Sequence, residues 1–244
     1  MTNEKPSPIR PTDAEAIALA RRILRMARFG ALATLDENGL PQATRVALAT
    51  EYDAAPLLLI SELAAHTRAL AANPACALLV GEPGKGDPLA HPRLSLKAEA
   101  RKVDATRNAS VRLRYLARQP KAALYIDFAD FAFYRLEPVS ALLNGGFGKA
   151  YELGREELLV PVPSGFEKAE RIARDMLSDE AIQQLIPDRV RHSHDTFRIG
   201  GIDPEGVDLV AGDRVERVPF ANPVRIATDL PKALAALQTQ ADRT

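Results

Sequence analysis

An Asn38-Gly39 turn joins two short apolar segments near the N-terminus and commits them to antiparallel pairing. The first segment is Gly30–Leu35 and the second is Gln42–Thr50, and a third strand-like segment follows at Leu57–Ser61. Asn-Gly favours a tight hairpin turn because both residues accept a positive φ. The sequence therefore predicts that its first three strands form an antiparallel meander.

Short strands and short helices continue to follow one another in this irregular way over the first two thirds of the chain. The pattern predicts further strands at Cys76–Val80, Arg93–Val103 and Phe131–Leu143. It predicts helices that begin at Thr12 and that cover Thr67–Ala72 and Ala105–Arg118. Because strands and helices do not alternate regularly, the pattern favours a closed antiparallel barrel with peripheral helices.

Changes in composition divide the chain into four parts. Residues 1–11 carry three prolines and few apolar side chains, and they are predicted to be a disordered lead-in. Residues 12–150 hold the barrel domain, and the proline-containing residues 151–165 are predicted to be a linker. Residues 166–244 form a small C-terminal domain of short strands and helices, and their pattern indicates no function.

Charge and composition exclude several classes of protein. Lysine plus arginine and aspartate plus glutamate both number 32, whereas a nucleic-acid-binding protein needs an excess of cations. The longest apolar run, Ala54–Ile60, is too short to cross a bilayer, and the N-terminus lacks an apolar secretion signal. Cys76 is the single cysteine, which excludes an intrachain disulfide. We therefore expect a soluble cytoplasmic protein with no nucleic-acid or membrane partner and no metal site.

Side chains alternate between two faces along the strand Gln42–Thr50. Thr44 and Val46 share one face, and Arg45 lies among alanines on the other. A single arginine with open space beside it suits a flat ring whose phosphate is held by the guanidinium group. The alternative is an edge-strand arginine that faces water.

A second group of polar side chains links a strand end to a helix start. Ser61, His66, Thr67 and Arg68 bring two hydroxyls, an imidazole and a guanidinium to a position where free helix N–H groups favour a phosphate. The alternative is that Ser61 or Thr67 caps the helix and that Arg68 is solvated. Two phosphate-compatible groups on neighbouring strands favour a ligand site.

Two other patterns have weaker functional interpretations. His192 and His194 could present two imidazoles on one face, as a haem or metal site needs, but a solvated loop explains them as well. Arg112, Arg114 and Arg118 are predicted to form the solvent-facing side of a helix.

The ordered run of these motifs resembles the pyridoxamine 5′-phosphate oxidase-like split barrels, in the branch related to haem-utilisation (HugZ-type) proteins. The resemblance runs through Gly30–Thr50, Leu57–Gly84, His91–Val103 and Arg114–Tyr151. The second domain, around Gly200–Val210, resembles a small module that often follows such barrels. The resemblance implies an α+β fold, an antiparallel split β-barrel with peripheral helices, followed by a small α/β C-terminal domain.

The resemblance also implies a homodimer with two FMN sites at the subunit interface. Thr44, Arg45 and Val46 match the strand that lines the flavin ring and phosphate, and Ser61 matches a hydroxyl at the next strand end. His66 and Thr67 stand where the oxidases place an Arg-Lys pair, so two phosphate-binding cations are missing. Arg93 stands where the oxidases have a flavin-contacting glutamine. The resulting cofactor-binding set is Thr44, Arg45, Val46, Ser61, His66, Thr67 and Arg93.

These observations predict an FMN-binding protein, with a flavin-dependent oxidoreductase of unknown small-molecule substrate as the implied enzyme. A deazaflavin would fit equally well, because it also offers a phosphate and a flat tricycle. One alternative is a haem-binding or haem-degrading protein on the same barrel, and another is a non-catalytic module with a vacant site. Vitamin B6 oxidation is disfavoured because the oxidases' C-terminal phosphate motifs are missing. No residue is assigned a catalytic role.

Overall fold

The computed structural model describes residues 9–81, 84–146, 148–186 and 196–241. The helices are α1 Ala14–Met26, α2 Ala65–Ala72, α3 Asn108–Arg118, α4 Arg155–Leu158, α5 Phe166–Met176, α6 Asp179–Gln184 and α7 Leu230–Ala241. The barrel strands are β1 Ile9–Arg10, β2 Phe29–Leu35, β3 Pro41–Ala47, β4 Ala49–Thr50, β5 Pro56–Ser61, β6 Ala75–Val80, β7 Arg93–Lys102, β8 Phe131–Asn144 and β9 Ala150–Gly154. A second sheet holds β10 Arg198–Asp203, β11 Gly206–Ala211 and β12 Arg214–Pro219.

The large sheet has the strand order β1-β9-β8-β7-β6-β2-β3, and β5 pairs with both β8 and β4. Its pairings are antiparallel except for the short parallel pair of β1 with β9. The sheet wraps around a core that includes Leu32, Leu78, Leu96 and Leu136, none of which has exposed surface. The α+β fold with an antiparallel barrel is confirmed.

The segment Gln42–Thr50 is divided at Leu48 rather than being one strand. Leu48 N donates a 2.9 Å hydrogen bond to Arg28 O, outside the ladder. The break lets β3 pair with β2 while β4 pairs with β5. Among the described strands β3 has β2 as its sole partner, so the sheet is open between β3 and β5 and the expected simple meander is wrong.

The first helix begins at Ala14, two residues after the predicted start at Thr12. Asp13, not Thr12, is the N-cap, and its carboxylate accepts a 2.8 Å hydrogen bond from Ala16 N. Thr12 instead donates through Oγ1 to Glu152 O at 2.6 Å, which ties the chain entry to β9. None of the helices in the described part of the chain combines the length and apolar character needed to span a bilayer.

The expected linker and lead-in both contribute to the barrel. Residues 150–154 form β9, and the buried side chains of Leu153 and Leu158 belong to the barrel core. Residues 9–10 form β1 against β9, and the first eight residues lie outside the described ones. Pro161 and Pro163 lie after these elements.

A buried ionic network joins the barrel to the C-terminal unit. Asp203 on β10 lies 3.0 Å from the Arg25 guanidinium of α1 and 2.8 Å from that of Arg217 on β12. Arg217 also pairs with Asp208 at 2.8 Å, and the side chains of Arg25 and Asp203 have no exposed surface. Arg25 further donates to Tyr52 O at 2.9 Å. The two units therefore share an interior.

Helix α3 packs its arginines against β10 and against the end of α1, so the prediction that these arginines form a solvent-facing side is wrong for Arg114 and Arg118. Arg114 is buried and donates to Thr50 O and, at 2.9 Å, to Ile202 O. Arg118 is buried and donates to Met26 O at 2.6 Å. Only Arg112 keeps the predicted partly exposed position, paired with Asp127 at 2.7 Å. The arginines satisfy backbone carbonyls that would otherwise be buried without donors.

Candidate functional site

Strand β3 presents its two faces as its sequence predicts. Val46 is buried in the barrel core, and Thr44 on the same face is half-buried. Arg45 is exposed on the opposite face, where its guanidinium carbon lies 5.3 Å from the centre of the Phe29 ring. The aromatic face helps to hold the Arg45 cation beside the sheet.

Arg45 begins a row of side chains that crosses the outside of the barrel. It is paired with Ala31, Ala31 with Leu79, Leu79 with Ser95, and Ser95 with Leu142. Leu79 and Leu142 are each 47% exposed, which is unusual for leucines in the middle of a sheet. We call these five residues the outer sheet row. Together they form a flat, largely apolar surface with a cation at one end.

Two cavities meet at Phe29 and Gly81 beside this row. One, of about 360 Å³, is lined by Thr44 and Arg45 together with Phe29, Gly30, Ala31, Ala43, Leu79, Val80 and Gly81. The other, of about 310 Å³, lies against α1 and is lined by Leu19, Arg22, Ile23, Met26, Ala27, Arg28, Phe29, Gly81, Pro92, Asp213 and Val215. We call the two together the Phe29 groove. Its floor is apolar, and arginines stand at its edges.

Gly81 keeps the middle of the groove open. Its φ is +123°, and a β-carbon there would lie 2.6 Å from Pro92 O. A larger residue is excluded both by the backbone conformation and by the close strand. Neither Gly81 nor Phe29 carries a sequence signal beyond a glycine at a strand end and an aromatic at a strand start, so sequence analysis missed both.

The Ser61 hydroxyl is hydrogen-bonded to a carboxylate. Its Oγ donates to Asp130 Oδ2 and accepts from Leu63 N at 3.1 Å. Asp130 is therefore a negative charge beside the hydroxyl that the family resemblance assigns to a phosphate. The two residues are 69 positions apart, so no local pattern in the sequence announces the contact.

Helix α2 begins without a side-chain cap. Its N-cap is Ala64, so neither Ser61 nor Thr67 caps it. His66 Nε2 and Thr67 Oγ1 are buried and have no hydrogen-bond partner among the described residues. Burial lowers the pKa of His66, so its neutral form is favoured and it does not replace a lost phosphate-binding cation. This helix end offers unpartnered polar atoms, and its cation is Arg68, which donates to Leu63 O at 2.7 Å.

Arg93 is half-buried and donates to Leu89 O at 3.2 Å. A β-carbon on Gly81 would lie 3.1 Å from Arg93 Cβ, which places Arg93 at the edge of the Phe29 groove. The seven candidate residues therefore do not line one cavity in a single chain: Thr44 and Arg45 line the groove, Arg93 flanks it, Val46 is in the core, and Ser61, His66 and Thr67 belong to the α2 end.

Within the described ranges no group of three or more histidine, cysteine, aspartate or glutamate side chains is arranged to hold a metal ion. His192 and His194 lie outside the described residues. Burial raises the pKa of Cys76 to about 11, which leaves a protonated and weakly nucleophilic thiol.

Comparison with known proteins identifies a family and several similar proteins. The family model for pyridoxamine 5′-phosphate oxidase matches residues 18–143. The chain is 36% identical over 144 residues to the chloroplastic non-canonical heme oxygenase HOZ of Arabidopsis thaliana. That match covers 56% of this chain and 44% of the relative, so the chain matches less than half of the plant protein.

Two solved structures match nearly the whole chain. A protein of unknown function from Agrobacterium tumefaciens is 29% identical with a TM-score of 0.79, and the match covers 95% of this chain and 100% of that one. A heme binding protein from Mycobacterium smegmatis is 26% identical with a TM-score of 0.57, and the match covers 97% of this chain and 100% of that one. Both matches extend through the barrel and the C-terminal unit together.

Proposed function

Because this chain belongs to the pyridoxamine 5′-phosphate oxidase family, we propose that it is a haem-handling member of that family, which binds haem in the Phe29 groove. The observation that carries the proposal is the 36% identity over 144 residues to a non-canonical heme oxygenase. The similarity to a mycobacterial heme binding protein over almost the entire chain supports the same ligand.

The chemistry of the groove fits haem. Haem needs an apolar slot for its ring and cations for its two propionates, and the groove combines Leu19, Ile23 and Phe29 with arginines at its edges. Arg22 and Arg45 make no ion pair within the described residues, so both are available to a propionate. Arg28 is already paired with Asp213 at 2.5 Å.

The axial ligand would come from one of four histidines, which are all that the chain contains. Among the described two, His91 directly precedes Pro92, which lines the groove. Its Nε2 is 3.0 Å from Lys85 O, which leaves Nδ1 available. His66 is part of α2 and is not among the groove-lining residues. His192 and His194 complete the set to be tested.

We expect haemin titration of the purified protein to give a saturable Soret band. The double variant Arg22→Ala/Arg45→Ala should weaken haem binding by about tenfold or more, because each guanidinium forms a charge-assisted bond to a propionate. The matched control is Arg101→Ala, an exposed arginine on β7 paired with Glu99 at 2.6 Å. Single alanine variants of the four histidines should identify the axial ligand by a shifted Soret maximum.

Unchanged affinity in the double variant would remove the groove from the haem site. If haem binds, loss of the Soret band on adding a reductant in air would assign haem as a substrate, whereas a persistent band would assign it as cargo. Absence of any haem binding would contradict the proposal.

FMN is the second candidate, and a separate observation favours it. The uncapped start of α2, with the unpartnered His66 Nε2 and Thr67 Oγ1, is a place where a phosphate would satisfy free donors. The carboxylate of Asp130 at Ser61 opposes this ligand by charge. When bound, the isoalloxazine of FMN, or of a deazaflavin, would supply the redox chemistry, and the protein would supply only binding and orientation. Saturable flavin absorbance without a Soret response would favour this candidate.

We further propose that the outer sheet row is the contact surface of a homodimer. Its exposed leucines, Leu79 and Leu142, lie on a flat sheet that monomeric proteins usually cover. Such a dimer would bring a second chain over the Phe29 groove, since Arg45 and Leu79 belong to both features.

Leu79→Asp should convert the dimer to a monomer in sedimentation velocity at micromolar concentration. Losing about 1.5–3 kcal/mol of apolar burial in each copy, plus the cost of the new charge, should raise the dissociation constant at least about 100-fold. Leu113→Asp, at a 67% exposed position on α3, is the control that should leave the dimer intact. A wild-type monomer would refute this surface as a dimer contact.

A further inference from the structure

A polar cavity lies where the barrel meets the C-terminal unit, and it is separate from the Phe29 groove. Its volume is about 410 Å³. The barrel side is formed by Glu51, Tyr52, Arg107, Ser110 and Arg114, and the other side by Val162, Pro163, Gly165, Phe166, Glu167, Lys168 and Arg171. The haem proposal makes no use of these residues. We call it the interdomain cavity.

The wall of the interdomain cavity carries an excess of positive charge. Four cationic side chains line it against two carboxylates, Glu51 and Glu167. Glu51 is already neutralised by Arg107 at 2.6 Å. Lys168 and Arg171 make no ion pair or side-chain hydrogen bond with the described residues, and their spacing of three places them on one side of α5. Two cations therefore face the cavity without a partner.

Arg114 adds a buried donor to the same wall. Its side chain is held by Thr50 O and Ile202 O through Nε and Nη1, while Nη2 donates to no acceptor among the described residues. The residue is 7% exposed, and its guanidinium carbon lies 4.4 Å from the centre of the Tyr52 ring. The Nη2 atom itself retains accessible surface, so water or an anion can accept a hydrogen bond from it.

The start of α5 contributes backbone donors. Gly165 is the N-cap at φ +77° and has no side chain with which to cap the helix. Phe166 N donates to Pro163 O at 3.1 Å, but the N–H groups of Glu167 and Lys168 have no acceptor in the described part of the chain. Burial raises the pKa of Tyr52 to about 12, so its hydroxyl stays protonated and can also donate.

We propose that the interdomain cavity is a binding site for a phosphoryl group, either free phosphate or the phosphate of a small metabolite. Lys168, Arg171 and Arg114 Nη2 would hold its oxygens, together with the free N–H groups of α5. A dianion is the matching class because four cations outnumber two carboxylates in the wall and Lys168 and Arg171 lack a partner, although Glu167 is also a wall carboxylate without an ion pair among the described residues. Since both units build the wall, the bound anion would also strengthen their packing.

Inorganic phosphate is the probe. Its binding is measured by isothermal titration calorimetry and by broadening of its ³¹P resonance, and chloride salt keeps the ionic strength constant. We expect saturable binding in the millimolar range and a higher melting temperature. Lys168→Ala/Arg171→Ala should weaken binding by about tenfold or more, because two charge-assisted bonds are lost. Both side chains are exposed, so the fold should persist, as circular dichroism would verify.

The matched control is Lys121→Ala/Lys232→Ala, which removes two exposed cations that make no ion pair with the described residues and lie outside the cavity. It should bind phosphate as the wild type does. Equal weakening in both double variants would show a general charge effect and overturn the proposal. Absence of saturable binding would overturn it as well. A titration with methyl phosphate then separates free phosphate from a phosphorylated metabolite as the ligand. Tighter binding of methyl phosphate than of inorganic phosphate would favour the metabolite.

Discussion

Asp203→Ala should lower the free energy of unfolding by about 3–5 kcal/mol, because it leaves the Arg25 and Arg217 guanidinium groups buried without their shared carboxylate. Asp203 receives both cations within 3.0 Å and has no exposed surface. Such a loss is a large fraction of the stability of an ordinary domain. Chemical denaturation followed by circular dichroism measures it, provided that the slope of the transition is unchanged.

Asp213→Ala is the matched control, because it also removes an aspartate that pairs with a barrel arginine. Asp213 is 81% exposed and pairs with Arg28 at 2.5 Å, so its loss should cost less than about 1 kcal/mol. Equal effects of the two substitutions would contradict the central role of the buried network.

The same carboxylate should make the protein sensitive to acid. Burial by itself would raise the pKa of Asp203, but Arg25 and Arg217 outweigh it and lower the pKa to about 2. In the unfolded chain the group titrates near about 3.9, so its stabilising contribution is present above that pH and is lost as the pH falls through 2. The unfolding free energy of Asp203→Ala should change less than that of the wild type between about pH 4 and pH 2.

Truncation after Tyr151 should prevent the barrel from folding. The cut removes Leu153 and Leu158, which are both fully buried in the barrel core, and each accounts for about 1.5–3 kcal/mol of apolar burial. It also removes Asp203, the counter-charge of Arg25, together with the C-terminal unit that packs against this arginine. We expect an aggregated product in size-exclusion chromatography and little ordered secondary structure by circular dichroism.

Truncation after Pro163 separates the two causes. This longer fragment keeps β9 and α4, and so retains the complete barrel core, but it still lacks the C-terminal unit. It should be more soluble than the shorter fragment and less stable than the full chain. A stable, monodisperse fragment ending at Tyr151 would show that the two units do not depend on a shared interior.

The local signals in the sequence were sufficient for the strands from β2 to β8, apart from the break at Leu48, and for the direction of the β3 side chains, but they missed β1 and β9. Alternation placed Val46 inside and Arg45 outside, because a strand has only two faces and the burial of one fixes the other. The same reasoning failed for Arg114 and Arg118. Helical periodicity identifies a polar face, but it does not reveal that β10 and the end of α1 offer backbone carbonyls to that face.

The sequence could predict only part of the candidate site, for a related reason. The Phe29 groove is built by α1, β2, β3, β6 and β12, so its shape depends on strand order rather than on any local motif. The contact between Ser61 and Asp130 arises because β5 pairs with β8 far along the chain. Sequence patterns identified the polar residues, but the long-range pairing of strands determines which of them are in contact.

The parallel pairing of Ile9–Arg10 with Ala150–Tyr151 bears on how the protein folds during synthesis. Strand β5 likewise pairs with β8, and Arg25 pairs with Asp203. In both cases the second partner is synthesised much later than the first. Such long-range contacts slow folding, and open strand edges expose a growing chain to aggregation. The nascent barrel therefore stays incomplete until β9 and α4 have left the ribosome, and the buried partner of Arg25 follows only with β10.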